Sequence, residues 1–104
     1  MSNVHRKDTD LGRFSDPGLL ILASLSSGPR HGYSMMQDIA GFSGTTLEPG
    51  TLYGAISRLE RLGWIMPLEA SDRRRPYEIT AAGQATLAAI VPAVAQTRSH
   101  PVRR

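Results

Sequence analysis

A chain of 104 residues allows one domain with a modest core, and the absence of cysteine excludes disulfides and thiolate metal sites. Three scattered histidines give no metal-ligand spacing, and with no long apolar run or signal-peptide core we expect a cytoplasmic protein without cofactor or membrane contact. The net charge is only +3, yet eleven of the twelve basic residues are arginine, which fits a nucleic-acid partner or a genome rich in arginine codons.

The first part of the chain changes from a polar segment to an apolar helix. Residues 1–15 are polar, mixed in charge and without a sustained period, and they are predicted to form a flexible arm. Asp16 and Pro17 are typical of a helix start, because aspartate caps free N–H groups and proline suits the first helical position. Apolar residues then occupy nearly every position up to Leu25. We therefore expect this helix to be covered by both its own domain and a partner.

A second, shorter helix is predicted after the segment SSGPRHG, whose glycines and proline interrupt the first. It runs from Tyr33 to Phe42, and His31 is interpreted as the residue at its start. Its inward side chains are predicted to be Tyr33, Met36, Ile39 and Ala40. The segment GFSGTT separates it from a third, amphipathic helix, which makes a helix-turn-helix pattern that many helical bundles also show.

The third helix is predicted to begin at Pro49 and to end at Gly63, a residue that readily adopts the left-handed conformation of a helix C-terminus. Apolar side chains recur at helical spacing on its inward face: Leu52, Ala55, Ile56, Leu59 and Leu62. The opposite face carries glycines, hydroxyls, an aromatic ring and guanidiniums: Gly50, Thr51, Tyr53, Gly54, Ser57, Arg58 and Arg61. Because only Glu60 is acidic near its edge, this face is predicted to contact something anionic.

Two strands joined by a charged turn are predicted after Gly63. The first strand would lie at a sheet edge, because Pro67 cannot donate a ladder hydrogen bond. Its inner side chains are predicted to be Trp64, Met66 and Leu68, with Trp64 interpreted as core. The second strand is predicted from Tyr77 to Thr80, and a hairpin following a helix-turn-helix is a winged helix.

Three consecutive arginines, Arg73, Arg74 and Arg75, lie at or near the tip of this hairpin. An arginine run is often only a solvated loop. Beside a polar helix face, however, it favours contact with phosphates or with the minor groove.

The last predicted helix is capped by Thr80, starts near Ala81 and carries an apolar stripe. Since little of its own domain would remain to cover that stripe, we expect it to pack against the first helix and a second copy. Pro92 is expected to kink or end the helix. The predicted dimerisation residues are Leu19, Leu22, Leu87, Ile90, Val91 and Val94.

The predicted fold is therefore mainly α with a small β-hairpin. It divides into a flexible arm over 1–15, a winged helix-turn-helix DNA-binding domain over 16–80, a C-terminal dimerisation helix over 81–98 and a basic tail over 99–104.

Three motifs carry a family resemblance over roughly residues 17–95. GTLYGAISRLERLGWI is similar to the recognition-helix signature of PadR-like transcriptional regulators, LLILASLSSGPRHGYSMMQDI to their first two helices, and DRRRPYEITAAG to their wing. The resemblance implies a dimeric winged-helix protein whose third helix enters the major groove, often a repressor released by an aromatic or cationic small molecule. Gly54 departs from the family, which usually has proline there, and the single C-terminal helix resembles the compact subgroup.

The polar face and the resemblance together predict a sequence-specific regulator of double-stranded DNA that binds an inverted repeat as a homodimer. We expect a repressor released by a small hydrophobic or aromatic effector. The predicted DNA-binding residues are Gly50, Thr51, Tyr53, Ser57, Arg58, Arg61, Arg73, Arg74, Arg75 and Tyr77. The alternative is a winged-helix protein-interaction module without DNA binding, whose outer face should be more apolar. No residue spacing suits acid–base, nucleophilic or metal chemistry, so we expect no enzyme.

Overall fold

A computed structural model of the protein describes residues 16–70 and 74–90. In chain order these residues form α1 (Pro17–Leu25), β1 (Arg30–His31), α2 (Gly32–Ser43), α3 (Pro49–Leu62), β2 (Ile65–Pro67), β3 (Pro76–Ile79) and α4 (Ala81–Ile90). The fold is mainly helical with a small antiparallel sheet, as predicted, but the sheet has three strands because β1 joins the hairpin. The predictions for the arm 1–15, Arg73, Val91, Pro92, Val94 and the tail 99–104 lie outside the described residues.

Helix α1 forms the centre of the core. Asp16 caps it as predicted, since its Oδ2 accepts a hydrogen bond of 3.0 Å from the backbone N–H of Leu19. The helix contacts α2, α3, α4 and β3. Leu19 and Leu22 are 7% and 2% exposed, so the expectation that α1 needs a partner to cover it is wrong. Its own domain encloses it on nearly every side.

Helix α2 starts one residue earlier than predicted, and this moves its buried face. His31 is the N-cap and Gly44, with φ of +76°, ends the helix. The buried positions are Gly32, Met35 and Ile39, at helical spacing. The predicted inward positions Tyr33 and Ala40 are therefore wrong: both are exposed, because each lies next to the buried stripe rather than on it.

Helix α3 has the two faces that its period predicted. Its inner face, Leu52, Ala55, Ile56 and Leu59, is buried. Leu62 is an exception at 52% exposed. It occupies the last turn before Gly63, whose φ of +80° redirects the chain, and Ile65 fills the core instead.

The sheet has the order β1-β3-β2, and all its pairs are antiparallel. Strand β2 lies at an edge, as Pro67 indicated. Its buried residue is Ile65, which is paired with Ile79 of β3, whereas Met66 is 44% exposed. The predicted inner face of this strand is therefore wrong by one residue, and a shift of one position reverses the faces of a strand. Trp64, just before the strand, is partly buried against the core.

Thr80 connects the end of the hairpin to α4. Its hydroxyl donates to the Gly63 carbonyl oxygen at 2.7 Å and accepts from the Gly83 N–H at 3.1 Å, so it caps the helix as predicted. Leu87 is 3% exposed within the single chain, and the expectation that the stripe lacks cover from its own domain is wrong at that position. Ile90, at 39% exposed, remains open.

Candidate nucleic-acid interface

The outer face of α3 is open to solvent along its length. Each predicted contact residue on this helix is exposed: Gly50, Thr51, Tyr53, Ser57, Arg58 and Arg61. At Gly50 and Gly54, an added methyl group would meet no atom within 4 Å. The helix backbone can therefore approach another molecule closely at these two positions.

Two side chains of this face turn toward neighbouring elements. The Tyr53 ring lies on Gly32 at the start of α2, where a methyl group on Gly32 would overlap its hydroxyl oxygen and lie 2.6 Å from Cζ. The Arg58 guanidinium lies near the start of α1, with Nη2 3.9 Å from a methyl group built on Gly18. The other polar residues of this face are Thr51, Ser57 and Arg61.

The wing brings its basic residues to the same side of the molecule as the start of α2. Arg74 and Arg75 are exposed and directly precede β3, while Tyr77 lies within that strand and packs partly against the core. In the sheet, Pro76 is paired with His31. The arginines of the wing therefore lie beside the residue that caps α2.

A cleft of about 340 Å³ opens where α3, the wing and the start of α2 meet. It is lined by His31, Gly32, Tyr33, Tyr53, Arg74, Arg75 and Tyr77. The structure thus brings together four predicted DNA-binding residues with three that the sequence did not indicate, namely His31, Gly32 and Tyr33. Strand β1 has only two residues, which is too short for a periodic signal, so its pairing beside the wing could not be predicted.

The phenol of Tyr77 is held in its protonated form. Burial raises its pKa above the usual value of 10.0, and the Glu60 carboxylate and Tyr53 raise it further. The Arg75 guanidinium acts in the opposite direction without reversing the shift. Because the usual pKa already lies well above neutral pH, the Tyr77 hydroxyl is protonated there and can donate a hydrogen bond.

A polar network fixes β1 to the two helices behind it. The Arg30 side chain donates from Nε to the Ser24 carbonyl oxygen at 3.2 Å, and the same Nε lies 3.6 Å from Asp38 Oδ2. The Ser24 hydroxyl donates to that carboxylate at 2.8 Å. Since Arg30 is paired with Tyr77 in the sheet, this network also holds the strand that follows the wing tip.

Neither a metal-binding cluster nor a membrane-spanning helix occurs among the described residues. Across 16–70 and 74–90, no three carboxylate or imidazole side chains come together in a way that could hold a metal ion. Within the same ranges, no helix has the length and apolar character needed to cross a bilayer.

The fold and its exposed surface define a class: a winged helix-turn-helix protein whose third helix presents a polar face beside a basic hairpin. The family model described as the transcriptional regulator PadR-like family matches residues 21–89. The chain belongs to this family, whose members are transcriptional regulators and not enzymes.

The chain is also similar to individual proteins and solved structures. An uncharacterized 37.1 kDa protein in transposon TN4556 of Streptomyces fradiae is 44% identical over 75 residues, which make up 72% of this chain and only 22% of that protein. A transcriptional regulator from Clostridium thermocellum has a TM-score of 0.69 and 27% identity, over 86% of this chain and 88% of that chain. A PadR family transcription regulator from Clostridium difficile R20291 shares the fold, with a TM-score of 0.63 and 21% identity over 81% of this chain and 98% of that chain.

Proposed function

We propose that the protein is a dimeric, sequence-specific DNA-binding regulator that represses transcription from an inverted-repeat operator. One observation carries the proposal: the open polar face of α3 lies next to the exposed arginines of the wing. A helix fits the major groove of DNA, and guanidiniums beside it can bind the phosphates that flank the groove.

The side chains on this surface suit two different tasks. Arg74 and Arg75 carry permanent charges that neutralise phosphates and release counterions, which contributes affinity without sequence preference. Thr51, Ser57 and Arg61 are exposed on α3, where they can form hydrogen bonds with base edges. Affinity and specificity are therefore expected to depend on different residues.

Dimerisation is proposed through α4. Only Gly83 and Leu87 of this helix are buried, and six of its exposed residues are apolar: Ala81, Ala82, Ala85, Ala88, Ala89 and Ile90. An apolar surface on the outside of a short helix suits contact with a second copy. Val91 and Val94 remain predicted members of this interface, whereas Leu19, Leu22 and Leu87 already pack within the single chain.

Release of the operator by a small hydrophobic or aromatic effector is also part of the proposal. It is supported by the membership of the chain in its family and by the apolar exterior of α4, where such a molecule could lie between two copies. A dimer that changes its two-fold geometry would alter the spacing of the two α3 helices and so weaken DNA binding.

Fluorescence anisotropy of labelled promoter DNA, titrated with the protein at several salt concentrations, tests the proposal. Arg74→Ala should weaken binding to all sequences and lower the salt slope by about one. Arg74→Lys, the matched control, should keep the slope because the charge is retained. Ser57→Ala should instead change the ranking among operator sequences.

The alternative function, a protein-interaction module, makes the opposite prediction. It predicts that the protein does not bind DNA, or that it binds DNA with an affinity independent of salt. The exposed face of α3 also lacks the apolar character it requires, since Tyr53 is the one large ring on it and Leu62 lies apart at the end of the helix.

A further inference from the structure

The cleft between α3, the wing and α2 is lined almost entirely by hydrogen-bond donors. His31 Nδ1 accepts from the Ser34 N–H at 3.4 Å, so the neutral ring carries its proton on Nε2. The Tyr33 hydroxyl oxygen accepts from Gln37 Nε2 at 3.5 Å, which leaves its own hydrogen free to donate. His31 and Tyr33 therefore each keep a hydrogen-bond donor for a molecule in the cleft.

The charged and titratable residues around the cleft are also hydrogen-bond donors. Arg74 and Arg75 contribute guanidiniums, which are donors only, and Tyr77 contributes a protonated phenol. Among the described residues, 16–70 and 74–90, no carboxylate belongs to the lining of the cleft. Glu60 acts electrostatically on Tyr77 but is not among the lining residues. A positive, donor-rich cleft is complementary to an anion that has only acceptor oxygens, as a phosphodiester does.

Tyr53 lies on the outer face of α3 and also lines this cleft. Its ring packs on the backbone of Gly32, and this close approach is possible only because position 32 has no side chain. The Tyr53 hydroxyl is therefore held against the start of α2. It lines the cleft together with His31 and Arg75, and the Tyr53 side chain is still 49% exposed, so its hydroxyl is accessible to a bound molecule.

We propose that the cleft binds one phosphate of the DNA backbone. Its donors are Tyr53, Tyr33, His31, Arg74 and Arg75. Tyr53 is accordingly a backbone-contact residue, and not a reader of bases. Gly32 is the residue that positions it. The inference rests on the proposed function. It adds one backbone phosphate contact that would set the position of α3 along the major groove.

Two glycine variants of the same helix test the role of Gly32. Gly32→Ala places a methyl group where the Tyr53 ring lies, and since the clash involves the far end of a flexible side chain, the ring can swing away while the fold is kept. We expect affinity to fall about tenfold for every DNA sequence, with an unchanged ratio between operator and altered operator. Gly41→Ala, at an open position of α2, is the control and should leave affinity unchanged.

Tyr53→Phe removes only the hydroxyl. It should weaken binding severalfold without changing the ranking of sequences, and it should have no further effect in the Gly32→Ala background because the ring is already displaced. If Gly32→Ala fails to fold, the DNA affinities of Tyr53→Phe and Tyr33→Phe test the inference, after circular dichroism has shown that both variants are folded.

The phosphate itself can be located by replacing operator phosphates, one at a time, with neutral methylphosphonates. At one position in each half-site, the methylphosphonate should weaken DNA binding by the wild-type protein. The same replacement should have little effect on binding by the Tyr53→Phe variant. A change in the order of affinities among DNA sequences in the Tyr53→Phe variant would overturn the inference, because it would show that Tyr53 contacts bases. Full affinity in Tyr53→Phe and Gly32→Ala, alongside weakened Arg74→Ala, would overturn it and leave the proposed function standing. A wild-type protein without salt-dependent DNA binding overturns both.

Discussion

Helices α1 and α4 have similar length and apolar composition, yet they occupy opposite situations. Helix α1 buries seven of its nine residues, whereas α4 buries two of its ten. The reason is position, since α1 lies among α2, α3, α4 and β3, and α4 packs mainly on α1 and β3. Apolar composition therefore shows that a helix must be covered, but it does not show whether its own chain or a second copy provides the cover.

The largest difference between the two helices is expected at isoleucine positions. Ile21 of α1 is fully buried, so Ile21→Ala should lower the free energy of unfolding by about 2–5 kcal/mol, from lost burial and the remaining cavity. Urea denaturation followed by circular dichroism measures it. If little folded protein remains, Ile21→Val should still cost about 1 kcal/mol. A loss no larger than that for Ile21→Ala would contradict the central place of α1.

A smaller loss is expected where α4 approaches the hairpin. A methyl group on Gly83 would overlap the carbonyl oxygen of Trp64 and lie 2.8 Å from Ile79 Cγ1, so Gly83→Ala should cost about 1–3 kcal/mol. Gly41→Ala, in open space, should stabilise the helix by up to about 1 kcal/mol. Thermal unfolding of both variants separates the effects, and stabilisation by Gly83→Ala would show that the contact is loose.

The buried hydroxyl of α1 provides a third comparison. Ser24 is 0% exposed and donates to Asp38, so Ser24→Ala should cost about 1 kcal/mol by removing one partner of that carboxylate. The reverse change on the exposed side of α4, Ala88→Ser, should remain within about 0.5 kcal/mol. Denaturant midpoints compare the two. Equal effects would mean that the two helices are not differently covered.

The smallest effect on the single chain is expected at Ile90. Ile90→Ala should change the free energy of unfolding by less than about 0.5 kcal/mol at protein concentrations below the dimer dissociation constant, because the side chain is exposed there. Ile90→Asp should raise the dimer dissociation constant more than tenfold, as measured by sedimentation equilibrium. A dimer of unchanged strength would place the interface elsewhere than on α4.

Local signals in the sequence are sufficient for the outer face of α3 and for most helix ends, although α2 begins one residue before its predicted start. The caps at Asp16, His31 and Thr80 depend on hydrogen bonds to residues three positions later in the chain. The left-handed turn at Gly63 depends on the residue itself. Such features need no knowledge of distant contacts, and each of these predictions is confirmed.

Errors appeared where a side chain's surroundings come from distant parts of the chain. Tyr33 and Met66 are predicted to lie inward but are exposed, because the residues before them, Gly32 and Ile65, are the ones that face the core. Periodicity identifies an apolar stripe, but a displacement of one residue is decided by the elements that lie across from it.

The sequence by itself determined the kind of protein, through three motifs, and the polar side of α3, because both are written in short runs of neighbouring residues. Only the tertiary structure decided that α1 is enclosed by its own chain, and that His31, Gly32 and Tyr33 join Tyr53 and the wing arginines around one cleft. These residues come from separate segments, and they meet because β1 pairs with β3 and the Tyr53 ring fits over a glycine. Long-range packing selects such contacts, and no local pattern records them.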